Sequence, residues 1–137
     1  MAIALLSVGL LGLLVFLLGF NVSRERGSVL KTQHEAEADP KSSLRKAIRA
    51  HGNCIEYAPT LSLMILAIGL AIPMLMSWQV GALMLAAVAS RYIHAIGVLS
   101  GGSIHTANPM KFIGAAGTYV TGLVLSVILV VRAAALF

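Results

Sequence analysis

The chain has 137 residues, of which 58% are hydrophobic and only 11% charged. Soluble domains carry about 25% charged residues, so the composition excludes one and points to a single integral membrane domain spanning residues 1–137. The net charge of +5 does not indicate nucleic-acid binding. Seven of the ten Lys/Arg fall between Arg24 and Arg49, in one connection between apolar segments, and no groove-reading or aromatic motif accompanies them.

Ala2 to Ser23 is an uncharged run of 22 residues. It is long enough to cross about 30 Å of hydrocarbon, and it lacks the basic start and small-residue cleavage site of a signal peptide. We take it as a first transmembrane helix. The polar connection that follows contains Asp39-Pro40, a capping residue before a proline suited to a first helical turn. A second helix is therefore predicted over about 40–72, kinked at Pro59 and stopped at Ile72-Pro73. Roughly 50 Å long, it must project beyond the bilayer core. A short uncharged link to Gln79 places Trp78 at the outer interface. The third helix is predicted over about 78–99. After a turn-rich loop, Asn108-Pro109 repeats the cap-plus-proline start, and the fourth helix covers about 109–133. The predicted fold is thus an all-α membrane protein, a four-transmembrane-helix bundle. With the basic first loop in the cytoplasm, both termini lie outside.

The second helix carries the informative pattern. Arg45, Arg49, Asn53, Glu56 and Thr60 recur three and four residues apart, so they form one polar stripe descending into the membrane. Cys54, Ala58 and Leu61 lie on other faces and are packing positions, while Gly52 allows close backbone approach. One reading pairs Glu56 with Arg91 of the third helix, since both fall in the inner half of the membrane. That pair leaves Arg49, Asn53 and Tyr57 without a role. An Arg, an Asn and a Glu on one stripe also suit a ligand bearing carboxylates and an amine. The two roles can coexist. Elsewhere, the single Cys54 excludes a multi-cysteine metal site. His34, Glu35, Glu37 and Asp39 sit in a solvated loop with no metal role expected. Tyr92 and Tyr119 read as packing or interface aromatics. Gly114, Gly117, Thr118 and Gly122 read as small residues for close helix contact.

The run Arg49-Ala-His-Gly-Asn53-Cys-Ile-Glu56-Tyr57-Ala-Pro59 resembles the R-A-x-x-N-x-x-E motif of the MAPEG family, the membrane-associated proteins in eicosanoid and glutathione metabolism. The likeness is to its small bacterial members. Arg91-x-x-His94 is similar to the R-x-x-H of several members, and chain length, helix number and the long basic loop agree. The resemblance implies a bacterial inner-membrane homotrimer with glutathione bound as co-substrate between protomers near the cytoplasmic side. Carried over by position, Arg49, Asn53, Glu56 and Tyr57 bind glutathione, with Arg91 and His94 from the third helix and Arg24 or Arg26 from the end of the first.

Active members also place an arginine near the start of the fourth helix to stabilise the thiolate. This chain has none between Arg91 and Arg132, and the third-helix tyrosine expected near Val98 is absent. His105 fills the corresponding place best as the thiolate-activating group, with Lys111 nearby. The expected function is a membrane glutathione transferase. It would conjugate glutathione to apolar electrophiles or reduce lipid hydroperoxides, both reaching it from the bilayer. The alternative is a non-catalytic lipid- or thiol-binding protein on the same scaffold.

Overall fold

The computed structural model describes residues 1–72 and 77–136, and the described residues are almost entirely helical. The elements are α1 (Ala2–Ser28), α2 (Gln33–Ala38), α3 (Ser43–Ala71), α4 (Trp78–Ser100) and α5 (Pro109–Ala134). Of these, α1, α3, α4 and α5 are long and apolar enough to cross a membrane. The protein is an integral membrane helical bundle. Its outer surface is apolar: Phe16, Phe20, Leu63, Phe112 and Val130 are all exposed. In water such a surface would drive aggregation; in lipid it carries no penalty.

Helix boundaries differ from the sequence reading mainly around the first connection. The first helix continues to Ser28, one turn beyond the uncharged run, because Arg24, Glu25 and Arg26 are themselves good helix formers. The six-residue α2 was not anticipated. The start predicted at Asp39-Pro40 falls instead at Ser42, whose hydroxyl accepts the Arg45 amide at 3.0 Å. Asp39 does cap, but it caps a local turn, with Oδ1 accepting the Lys41 amide at 2.9 Å. Asn108-Pro109 performs as read: Asn108 Oδ1 accepts the Met110 amide at 2.8 Å and Pro109 opens α5. α3 runs through Pro59 without interruption. Its predicted end at Ile72 agrees, while the link residues 73–76 lie outside the described residues.

Two contacts dominate the bundle, α4 with α5 and α1 with α3. The α4–α5 seam is close because α5 brings glycines to it. A methyl group on Gly114 would collide with the main chain of His94, and one on Gly117 with the Ser90 hydroxyl. This is small-residue packing as read from the sequence. Gly52, by contrast, faces open space, and a Cβ there would meet nothing within 4 Å. Among the described residues nothing makes the close approach that Gly52 allows.

The first connection and the α4–α5 loop meet at one end of the bundle. There the Ile104 amide donates to the Pro40 carbonyl at 2.9 Å, and the Lys46 ammonium to the Gly101 carbonyl at 3.2 Å. Both loops therefore lie on the same side of the membrane, as an up-and-down arrangement requires.

Candidate functional site

The buried face of α3 is written by Leu44, Ala47, Ala50, Cys54, Ala58, Leu61, Ile65 and Ile68, all within the core. Spaced three and four apart, they turn the polar stripe away from the bundle. Arg45, Arg49, Glu56 and Thr60 are exposed on the outer surface of the protomer, and Asn53 stands half-buried at the stripe's edge. Glu56 lies roughly 20 Å along α3 from Ser43. It is thus a carboxylate deep within a membrane-spanning helix.

Arg91 occupies the opposite environment. It is only 1% exposed, wedged between α3 and α5. Its Nη2 donates to the Asn53 carbonyl at 3.1 Å and to Asn53 Oδ1 at 2.8 Å, and its Nη1 reaches Thr118 Oγ1 at 3.4 Å. The guanidinium also lies 5.2 Å from the centre of the Tyr57 ring, in cation–π range. Among the described residues its Nε has no hydrogen-bond partner. The α4–α5 glycine seam brings Thr118 within reach, and Thr118 in turn donates to the Gly114 carbonyl at 2.7 Å.

The direct Glu56–Arg91 ion pair does not form. Among the described residues the only ion pairs are Arg24–Glu25 at 2.9 Å and Arg26–Glu37 at 3.9 Å. Asn53 stands between the two groups instead. Its Oδ1 is committed to Arg91, which forces the amide Nδ2 outward to Glu56 Oε2 at 3.4 Å. The stripe faces out and Arg91 faces in, and an asparagine is long enough to link the two. A separation counted only along the helix axes could not reveal this.

The remaining candidates separate in space. Tyr57 joins the cluster, its hydroxyl 3.2 Å from that of Tyr119 and the two rings edge-to-face. His94 is half-buried against the seam. Its Nδ1 lies 2.9 Å from the Lys111 carbonyl, which can only accept, so Nδ1 carries a proton and donates. Arg49 makes no hydrogen bond or ion pair among the described residues.

Arg24 and Arg26 point to opposite sides of α1. Arg24 is held by Asn21 and Glu25 and lines a crevice with Ser43, Lys46 and Leu99. Arg26 lines a groove of about 310 Å3 between α1 and α3, beside Ser23, His51 and Gly52. His105 is exposed in the α4–α5 loop, and among the described residues its one hydrogen bond is from its backbone amide to Ser103 Oγ. Thr118 lies roughly 14 Å along α5 from Pro109, so a single protomer does not bring His105 to Arg91. Lys111 is turned back onto the loop carbonyls of Ser103 and Ile104.

Two residues of the cluster were taken from the sequence as packing groups, Thr118 and Tyr119. Hydroxyls on an apolar helix were the only available signal, and nothing local distinguishes such a hydroxyl from one bonded within its own helix.

A family model described as the MAPEG family matches residues 4–131. The chain belongs to the MAPEG family. No curated protein and no solved structure matches it. Membership of MAPEG assigns the chain to a family that includes membrane glutathione transferases and related enzymes of eicosanoid metabolism. It agrees with the membrane helical bundle described above.

Proposed function

We propose that this MAPEG protein binds glutathione on the outer face of α3 and transfers its thiol to apolar electrophiles, or uses it to reduce lipid hydroperoxides. One observation carries the reading. Arg49 and Glu56 stand exposed on a membrane-spanning helix, flanking an Asn53 whose amide is fixed by Arg91. A charged group at the centre of a span costs several kilocalories per mole, about 2.5–3.5 by insertion scales, so the deeper part of this face, at Glu56, favours being covered.

The donor set fits glutathione. Arg49 can clamp a carboxylate in bidentate fashion, Glu56 can accept the amine, and the oriented Asn53 Nδ2 can donate to a carbonyl or carboxylate. Covering the stripe with a second copy completes the site. In a cyclic assembly, a homotrimer in this proposal, the neighbour presents its α1 flank. Arg26, held among the described residues only by a long 3.9 Å ion pair to Glu37, suits the role of the α1 arginine better than Arg24, which Asn21 and Glu25 both bind at 2.9 Å. The basic first connection then lies in the cytoplasm of a bacterial inner membrane, with both termini outside.

The position of His105 favours a second reading, thiol binding without activation. An unassisted thiol has a pKa near 8.5 and needs a nearby cation to ionise at neutral pH. Ultraviolet absorbance of the thiolate, followed on mixing purified protein with glutathione, separates the readings. Thiolate formation supports the transferase, and binding without ionisation supports the second reading. Absence of binding sinks both.

A further inference from the structure

Three helix ends meet where the two loops touch: the last turns of α1 and α4 and the first turn of α3. Between them lies a crevice of about 250 Å3, walled by Asn21, Arg24, Glu25, Ser43, Lys46 and Leu99. It is separate from the groove beside Arg26, which lies on the opposite side of α1. The crevice holds opposite charges side by side. The Glu25 side chain is 15% exposed, whereas Arg24, which donates to its Oε1 at 2.9 Å, is 66% exposed and stands at the rim. Lys46 spends one of its three donors on the Gly101 carbonyl at 3.2 Å. Ser43 opens α3 and brings the positive end of that helix to the same place.

Position is as informative as charge. The uncharged run of α1 ends at Ser23, so Arg24 and Glu25 mark the edge of the hydrocarbon, where phospholipid headgroups lie. Leu99, packed against the apolar core, gives the crevice one apolar wall. We propose that this crevice binds the headgroup of an amine-bearing phospholipid, with Glu25 accepting from the ammonium and Arg24 and Lys46 holding the phosphate. The ligand's ammonium replaces the Arg24 guanidinium at Glu25, and the exposed Arg24 turns to the phosphate. Each charge keeps a partner throughout. A headgroup with a phosphate and no amine would satisfy the cations but set a second negative charge beside Glu25.

Native mass spectrometry of the full chain, released from detergent with added dioleoyl lipids, tests the assignment. Phosphatidylethanolamine and phosphatidylcholine carry the same charges, but the choline nitrogen has no N–H to donate. The ethanolamine lipid should be retained roughly tenfold more tightly than the choline lipid, the worth of a charge-assisted hydrogen bond. It should also outlast phosphatidylglycerol. Glu25→Gln should bring the ethanolamine lipid down to the level of the choline lipid. Arg24→Gln should weaken both alike, while Lys41→Gln, in the same basic connection but outside the crevice, should alter neither. Lys46 is left in place, because its bond to Gly101 ties the two loops together.

Equal retention of the three lipids by the wild type would overturn the proposal, as would an ethanolamine preference that survives Glu25→Gln. A loss in Lys41→Gln as large as that in Arg24→Gln would also overturn it, reducing the effect to general attraction by a basic loop. Glycerophosphoethanolamine, the headgroup without its chains, separates a lipid from a soluble ligand. Weak competition by it is the expected result, and full competition at equal concentration would contradict a lipid as the ligand.

Discussion

Arg91 and Arg49 sit on neighbouring helices and meet opposite fates. Around Arg91 the protomer closes: Asn53, Thr118 and the Tyr57 ring surround the guanidinium, with Nε alone left without a hydrogen-bond partner among the described residues. Around Arg49 no hydrogen bond or ion pair forms among the described residues, and the arginine stands exposed on α3 with Glu56 two turns further along the same face. The comparison separates structural from functional charge. The buried arginine gives both terminal nitrogens to neutral acceptors within its own chain, and the exposed one is left to a ligand or another copy in the proposed function. Asn53 couples the two regions, holding Arg91 with its oxygen and offering its nitrogen outward.

The largest effect should fall on the open region. Arg49→Ala removes a charged partner from a partly desolvated ligand, which typically costs about 2–5 kcal/mol, or roughly 30-fold and more in affinity. Because the Arg49 side chain makes no hydrogen bond or ion pair among the described residues, the melting temperature of the ligand-free variant should stay at the wild-type value. A calorimetric titration with glutathione and a thermal melt check both halves of this prediction.

Damage to the closed region should show the reverse pattern. Gly114→Val places side-chain atoms against the His94 main chain, an overpacking worth about 1–3 kcal/mol or more of stability. Gly122→Ala on the same helix should be nearly silent, and denaturant unfolding of the two variants measures the contrast.

Asn53→Ala should affect both regions, leaving Arg91 short of an acceptor at about 1–3 kcal/mol and removing a ligand donor. A loss of glutathione affinity at full stability would sever the proposed coupling. Smallest of all is the stability effect of Glu56→Gln. Without a direct Glu56–Arg91 bond it should cost less than about 1 kcal/mol, while glutathione affinity falls. A large drop in melting temperature would restore the ion pair that the structure lacks.

The membrane architecture was legible because bilayer thickness and helix rise leave little choice once apolar runs of this length appear. The interior of the stripe was half legible. Spacing along α3 gathered Arg49, Asn53 and Glu56 on one face, and Arg91 was placed at a compatible depth. Rotation of α4 about its axis decides what Arg91 touches, and that follows from the packing at Gly114 and Gly117, which no local pattern encodes. Tyr119 was hidden for the same reason, its partner being far away in sequence. The boundary near Asp39 was misread because one capping residue can serve a turn or a helix, and Ser42 took the helix.

The central claim is that the open face of α3 becomes a glutathione site only when a neighbouring protomer covers it. Co-assembling Arg49→Ala and Arg26→Ala chains tests this most directly, with glutathione binding measured on the mixed assemblies and on each variant alone. The account predicts weak binding by either variant alone and recovery in the mixture, where intact Arg49 of one chain meets intact Arg26 of the next. Mixed assemblies that bind no better than the separate variants, or an Arg26→Ala variant that alone binds like wild type, would contradict it.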